Sequence, residues 1–262
     1  MKRILNFDGF INESNEYRSK SKKYLLDNFN EVPDNSQLYD AKESDFENLP
    51  WYVSIKKAFP DHQILAEESG ALEQSSDYKW IIDPIDGTVN FAQGIPLNCV
   101  SIAIEFQGSI ILGAVYNPHL NEFFFAEKGK GATLNDKPIQ VSKKTSTLKS
   151  CLVTGFPYTY INEPNGPIEV FERFVRKGVP VRRLGSAAID LCWVACGRFD
   201  GFFEQKLEPW DSAAGYLIVE EAGGKVTDFK GVAFSVYQHK LIATNGLIHT
   251  EMVEVINGRK EL

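Results

Sequence analysis

The chain is poor in residues for soft-metal or redox chemistry. Its 262 residues include only four cysteines and four histidines. Cys99, Cys151, Cys192 and Cys196 form no C-x-x-C pair, and each lies in an apolar stretch, which predicts buried free thiols. Cys192 and Cys196 stand one helical turn apart, but no nearby histidine completes a zinc set. The scattered histidines argue against a His-based metal site. No run of about 18 apolar residues occurs, so no membrane span is expected. The N-terminal "MKRILNFDGFINESNEYRSKSKK" begins with a basic pair but lacks an apolar core, which predicts no signal peptide and a cytoplasmic location. Basic charge is not in excess either. A net charge of −7 argues against a nucleic-acid-binding surface. It also disfavours an anionic substrate, unless bound cations reverse the sign locally. There is no internal repeat and no low-complexity segment.

What is present suits one large or two smaller domains. A hydrophobic content of 43% over this length supports a sizeable core. Residues 15–29 are weakly helical, 30–45 are polar and turn-rich, and 46–58 suit a helix with Pro50 in its first turn. "HQILAEESG" reads as a short strand ending in acids. "CVSIAIEF", "SIILGAVYN" and "NEFFFAEK" predict an antiparallel meander, followed by a hairpin at Asn135-Asp136. Strand-like "CLVTGF", "VPVRRLG", "DGFFE", "KVTDF" and "KLIATN" then alternate with helix-like "IEVFERFVRKG", "SAAIDLCWVACG", "PWDSAAGYLIVEEAGG" and "TEMVEVING". That alternation predicts a sheet covered by helices. A boundary near 143–147 would divide 1–145 from 146–262.

Acids recur where apolar runs stop. Glu67 and Glu68 follow one strand. In "WIIDPIDGTVNF", residues 80–91, an apolar strand is expected to end at Asp83, with Asp86 in the turn beyond it. Asp211 opens a helix behind Pro209-Trp210. Each has an ordinary explanation: a helix-dipole acid, a solvated strand end, a turn-former. Together they need more. Partly buried carboxylates side by side repel and lose stability without a counter-charge, and no lysine or arginine interrupts 80–91. Oxygen-only donors select Mg²⁺, Mn²⁺ or Ca²⁺. The Ile85 carbonyl can face the same point. Gly87 allows close backbone approach, and a helix starting at Thr88 would direct amides at a phosphate. The set suits metal-assisted hydrolysis of a phosphate ester.

The segments "ILAEESG", "WIIDPIDGTVNF" and "EPWDSAAGYLIVEEAGG" resemble the three signature segments of the inositol monophosphatase family. "GAVYNPHLNEFFFAEKGKGATLND" and "RRLGSAAIDLCWVACGRFDGFFE" are similar to it as well, while "TGFPY" and "RRLGSAA" look like its bacterial and archaeal branch. The likeness runs from about residue 59 onward. It implies an α/β protein, an α+β layered sandwich of the sugar-phosphatase type. The first part would carry an antiparallel sheet and most metal ligands, and the second the substrate contacts and Asp211. The implied reaction is hydrolysis of a small phosphate monoester, inositol 1-phosphate first, by metal-activated water and without a phosphoenzyme.

By the same resemblance, Glu67, Asp83 and the Ile85 carbonyl would hold a first Mg²⁺, and Asp83, Asp86 and Asp211 a second. Glu67 would assist a third ion and, with Thr88, orient water; Mn²⁺ is an alternative metal. The Gly87 and Thr88 amides would grip the phosphate, and Asp86 would count with Glu67 and Thr88 among the catalytic residues and also among those that bind substrate. Ser186, Ala187 and Glu204 would meet the alcohol part, and Arg183 a substrate or a dimer partner. A homodimer and lithium sensitivity are implied too. Fructose 1,6-bisphosphate, histidinol phosphate and a nucleotide 3′-phosphate stand as alternative substrates, with Arg182, Arg183 and Lys206 as cations for a second phosphate. A non-catalytic binding protein on the same fold is the alternative of another class. Upstream, "DNSQLYDAKESDFENLP" departs from the family pattern. Ser44 falls where its Asp would stand, Asp45 is one residue off, and Lys42 only loosely matches its loop lysine. The third ion and closure of the site therefore depend on 30–45.

Overall fold

The computed structural model describes residues 55–67, 70–72, 74–157 and 166–258. By contacts the chain falls into two compact units, Met1–Pro60 and Asp61–Leu262. Of the first unit only 55–60 are described, and 55–58 are helical. The expectations for 15–29 and 30–45, and for Lys42, Ser44, Asp45 and Glu68, lie outside the described residues.

The second unit contains two sheets. The larger has eight strands: β1 (Gln63–Ala66), β2 (Gly70–Leu72), β3 (Tyr78–Asp86), β4 (Cys99–Phe106), β5 (Ser109–Asn117), β6 (Glu122–Glu127), β7 (Ala132–Leu134) and β8 (Lys137–Pro138). Their order is β2-β1-β3-β4-β5-β6-β7-β8. The expected meander forms, and among the described residues of this sheet only the β1–β3 pair runs parallel. Asn135 and Asp136, with φ of 47° and 64°, make the two-residue turn between β7 and β8.

The smaller sheet has β9 (Leu152–Thr154), β10 (Val181–Arg182), β11 (Gly201–Gln205), β12 (Lys225–Thr227) and β13 (Lys240–Thr244), in the order β10-β9-β11-β13-β12. The helices are α1 (Thr88–Ala92), α2 (Pro167–Val175), α3 (Ala187–Ala195), α4 (Pro209–Glu221) and α5 (His249–Ile256). "VPVRRLG" gives a strand of only two residues, because β10 is an edge that pairs with β9 alone.

Side-chain alternation fixes the layers. Along β11, Phe202 packs toward α3 and α4 while Phe203 packs toward α2 and α5; along β13, Leu241 and Ile242 divide in the same way. Both faces of the small sheet are therefore covered, which is why neighbouring residues such as Phe202 and Phe203, or Leu241 and Ile242, are both apolar. Leu191 and Val194 of α3, with Leu217 and Ile218 of α4, fill the space between Phe202 and Leu241 on one side and Ile81, Val115 and Phe124 of the large sheet on the other. The order is large sheet, helix pair, small sheet, helix pair: an α/β layered fold.

Two expectations are corrected here. The apolar strand does not end at Asp83; β3 continues to Asp86. Asp83 pairs with Ser101 and Asp86 with Cys99, so three steps on β3 oppose two on β4. The extra residue in Asp83-Pro84-Ile85-Asp86 is a β-bulge, a setting that tolerates proline and leaves backbone groups outside the ladder. The cysteines are free, but only Cys99 and Cys192 are buried, and Cys151 and Cys196 are partly exposed. Cys99 belongs to the apolar core yet has polar neighbours. Its Sγ lies 3.6 Å from both Asp86 Oδ2 and Ser186 Oγ.

Candidate active site

The bulge decides where the two aspartates point. In a regular strand, residues three apart face opposite sides. The extra residue cancels that offset, since the partners Ser101 and Cys99 are two apart and share a face of β4. Asp83 and Asp86 thus share a face, and they are 1% and 7% exposed. The Ile85 N–H donates to Asp83 Oδ1 at 2.9 Å, and Thr88 Oγ1 donates to the Ile85 carbonyl at 3.1 Å. Gly87, at φ 90°, carries the chain from the bulge into α1. A Cβ there would meet the Leu97 carbonyl oxygen at 2.9 Å, so both the dihedral and the space require glycine.

The other acids arrive from distant parts of the chain. Ser101 Oγ donates to the Trp210 carbonyl at 3.2 Å, which holds the start of α4 against β4. Asp211 is the third residue of α4, and its Oδ2 accepts the Glu208 N–H at 2.7 Å in a capping box. The ordinary role of a helix-start acid is therefore real, and the same residue also joins the cluster. Asp83, Asp86 and Asp211 each offer a carboxylate oxygen within 4.8 Å of the others. Glu67 is exposed just past β1, on the wall of the same cavity.

Asp86 also anchors α3. Its Oδ2 accepts from Ser186 Oγ at 2.6 Å and from the Ala188 N–H at 2.8 Å, and its Oδ1 accepts from the Ala187 N–H at 3.3 Å. Ser186 and Ala187, expected at the substrate, line the cavity while donating to Asp86. Glu204, half-buried in β11, lines it too, and the exposed Arg183 stands at its rim. The carboxylate of Glu204 occupies the space that a Cβ on Gly155 would need, about 2.1 Å from that position. Arg182 is exposed and does not line the cavity, whereas Lys206 does.

The cavity has a volume of about 320 Å³, the size of a small-molecule site. Sequence reasoning did not single out Gly155 and Asp190 in its lining, nor Cys99 beside Asp86. Asp190 had a readable signal, because it follows Ser186 by four residues and so shares its helix face. Cys99 and Gly155 had none, since their contacts depend on distant partners.

The electrostatics reflect crowding. Burial, then the charges of Asp86, Glu67 and Asp211, push the Asp83 carboxyl well above its ordinary value, against the Ile85 N–H. Burial raises Asp86, and its donors from Ser186, Ala188, Ala187 and Cys99 oppose the rise. Asp211 is pushed up to about 8 by burial and then by Asp86. Glu204 also rises to about 8, from burial and then Asp211 and Asp86, with Arg183 opposing. Burial, then Glu204 and Asp86, raises Asp190 well above its ordinary value, with Arg183 opposing. Such a set calls for added positive charge, and all-oxygen donors fit a hard divalent cation.

Comparison with known proteins gives this geometry a context. The model of the inositol monophosphatase family matches residues 36–261. The chain belongs to the inositol monophosphatase family. It is 47% identical over 203 residues to an inositol-1-monophosphatase of Synechocystis, covering 77% of this chain and 71% of that protein. It is 48% identical over 178 residues to a protein of Pasteurella multocida named Nus factor SuhB, covering 68% of this chain and 67% of that protein. A solved inositol monophosphatase from Anabaena superposes with a TM-score of 0.76 at 42% identity, covering 80% of this chain and 84% of that one. The family match begins at residue 36, upstream of residue 59, where the likeness was expected to start. Members of the inositol monophosphatase family are metal-dependent phosphatases, and the chain is an enzyme of the phosphoric monoester hydrolase class. No helix among the described residues is long and apolar enough to cross a membrane.

Proposed function

We propose that the chain hydrolyses a small phosphorylated polyol or sugar, inositol 1-phosphate first, with Mg²⁺ as its metal. The observation that carries this reading is the carboxylate trio of Asp83, Asp86 and Asp211, packed within 4.8 Å beside a cavity that also meets Glu67, Thr88 and Glu204. Asp83, Asp86 and Asp211 would hold one ion; Glu67, Asp83 and the Ile85 carbonyl would hold another; Glu67 would assist a third, and Mn²⁺ would serve in place of Mg²⁺. When bound, the ions supply charge neutralisation at the phosphate and acidify the attacking water. Gly87 and Thr88 present backbone amides at the start of α1 toward the phosphate. Thr88 and Glu67 orient the water. Ser186, Ala187, Glu204 and Arg183 face the alcohol part. Asp86, tied to three donors of Ser186, Ala187 and Ala188, keeps its carboxylate in one orientation throughout.

The same reading includes a cytoplasmic homodimer and a division of roles between residues 1–145 and 146–262. Purified protein with Mg²⁺ is expected to release phosphate from at least one of inositol 1-phosphate, fructose 1,6-bisphosphate, histidinol phosphate and a nucleotide 3′-phosphate. Asp86→Asn should abolish that release. Absence of turnover on all four, with Asp86→Asn indistinguishable from the parent, would sink the reading. Light scattering checks the dimer.

A second reading draws on the likeness to a protein named Nus factor SuhB. It makes the chain a partner in a macromolecular assembly. Stoichiometric capture of such a partner, with no turnover, would favour it. The buried acid cluster supports catalysis instead, because an apolar replacement would relieve the repulsion it imposes.

A further inference from the structure

Two sides of the cavity come from different parts of the chain. The end of β3 and the Gly87–Thr88 turn into α1 form the side proposed for metal and phosphate. The loop from Arg183 to Ser186, between β10 and α3, belongs to the side proposed for the alcohol. Asn90 of α1 stands behind both: it is 6% exposed and does not line the cavity. Its Nδ2 donates to the Leu97 carbonyl at 2.7 Å and to the Leu184 carbonyl at 2.8 Å. Carbonyl oxygens only accept, so the amide has one orientation and both of its protons are committed. Leu184 lies between Arg183 and Gly185, and Leu97 supplies the carbonyl that a Cβ on Gly87 would meet. The packing around this amide is close. A Cβ on Gly185, at φ 94°, would stand 3.1 Å from Asn90 Nδ2 and 2.6 Å from Arg183 Nη1, and a Cβ on Gly87 would stand 3.2 Å from the Gly185 carbonyl oxygen. Two glycines let the sides approach, and one asparagine amide ties them. Asp86 ties them again at Ser186, but as a member of the acid cluster, to which Asn90 does not belong.

We propose that Asn90 is a positioning residue of the phosphatase reaction, whose side-chain amide fixes the spacing between the Gly87–Thr88 turn and the Arg183–Ser186 loop. The inference rests on the phosphatase reading above and deepens it. A phosphorylated polyol meets both sides at once, its phosphate at Gly87 and Thr88 and its hydroxyl groups at Arg183, Ser186 and Ala187. Without the amide, the Leu97 and Leu184 carbonyls lose their common donor, and the turn and the loop shift against each other to find new partners. A misplacement of about 1 Å is enough to cost about 100-fold in rate. The loss falls hardest on a substrate that touches both sides.

The test compares the parent with Asn90→Ala, Asn90→Asp and Gly185→Ala in Mg²⁺, on inositol 1-phosphate and on p-nitrophenyl phosphate, which carries no free hydroxyl. Asn90→Ala should lower kcat/KM about 100-fold on inositol 1-phosphate and about tenfold on p-nitrophenyl phosphate, so their ratio falls about tenfold. A merely structural asparagine would lower both by the same factor, through the folded fraction, and leave the ratio unchanged. Mg²⁺ binding measured by calorimetry should match the parent, because the Asn90 amide bonds to Leu97 and Leu184 and to no proposed metal ligand. Asn90→Asp keeps the shape but turns acceptor oxygens toward two carbonyls, and its ratio should fall as far as that of Asn90→Ala. Gly185→Ala pushes a methyl group at the same amide from the other side and should lower the ratio too. An unchanged ratio in any of the three variants, or a loss of Mg²⁺ binding, would overturn this inference while leaving the phosphatase reading intact. If Asn90→Ala does not fold, the other two variants carry the same comparison. Where the parent prefers another of the four phosphate esters named above, that ester takes the place of inositol 1-phosphate. A parent that hydrolyses none of them would overturn the phosphatase reading and this inference together.

Discussion

Asp86 does two jobs with one carboxylate. It belongs to the acid cluster, and it satisfies the Ser186 hydroxyl and the Ala187 and Ala188 amides at the start of α3. Its substitutions should therefore separate charge from support. Asp86→Asn retains an oxygen acceptor, and we expect a small stability loss with activity reduced by orders of magnitude. Asp86→Ala orphans the Ser186 hydroxyl and the Ala188 N–H, adding about 1–3 kcal/mol of destabilisation for each buried group left unpaired. Denaturant melts alongside phosphate release check the pair, and equal stability in the two variants would contradict the anchoring role. Gly155 offers a second residue-scale test. Since a Cβ there would stand where the Glu204 carboxylate lies, Gly155→Ala should displace that flexible side chain at little cost to folding. KM should rise for inositol 1-phosphate more than for p-nitrophenyl phosphate.

At the scale of elements, the bulge in β3 is the decisive feature. It keeps two acids three residues apart on one face and releases the Ile85 carbonyl toward Thr88. Gly87 then turns the chain into α1. Gly87→Ala would force a side chain into φ 90° and against the Leu97 carbonyl oxygen. We expect about 1–3 kcal/mol of destabilisation, and up to about 100-fold loss in kcat/KM as α1 shifts from the cluster. Melting and steady-state kinetics measure both; parent-like kinetics would remove α1 from the phosphate site. Most elements were legible beforehand, because β4, β5 and α4 carry strong patterns of apolar, turn and capping residues. The bulge was not. Asp-Pro-Ile-Asp has the composition of a turn, and only its pairing with Ser101 and Cys99 keeps it in the strand.

For the whole molecule, the cluster links stability to pH and metal. Asp211 rises from 3.8 to about 8, and Glu204 from 4.5 to about 8, while Asp83 and Asp86 move in the same direction. The folded state then binds more protons than the unfolded chain between about pH 4 and 8, so stability falls as pH rises through that window. In EDTA we expect a lower Tm at pH 8 than at pH 6, by about 2–4 °C for each kcal/mol lost. Mg²⁺ should raise Tm more at pH 8, where it competes with fewer protons. A metal-free Tm that does not change with pH would contradict the crowding of the acids.

The sequence by itself determined the residue types and their local settings. Three acidic segments in order, a glycine after the second aspartate and a capped helix at Asp211 are all local patterns, and local patterns are enough to specify oxygen donors at the ends of elements. Tertiary structure alone decided their convergence. Asp211 reaches Asp86 because β4 holds the start of α4 through Ser101 and Trp210, and Asp190 reaches the cavity because α3 is hung on Asp86. Those contacts join residues far apart in the chain, and a spacing rule describes only neighbours. Glu204 required one more long-range fact, the empty side-chain space at Gly155, which exists only after β9 and β11 pair side by side.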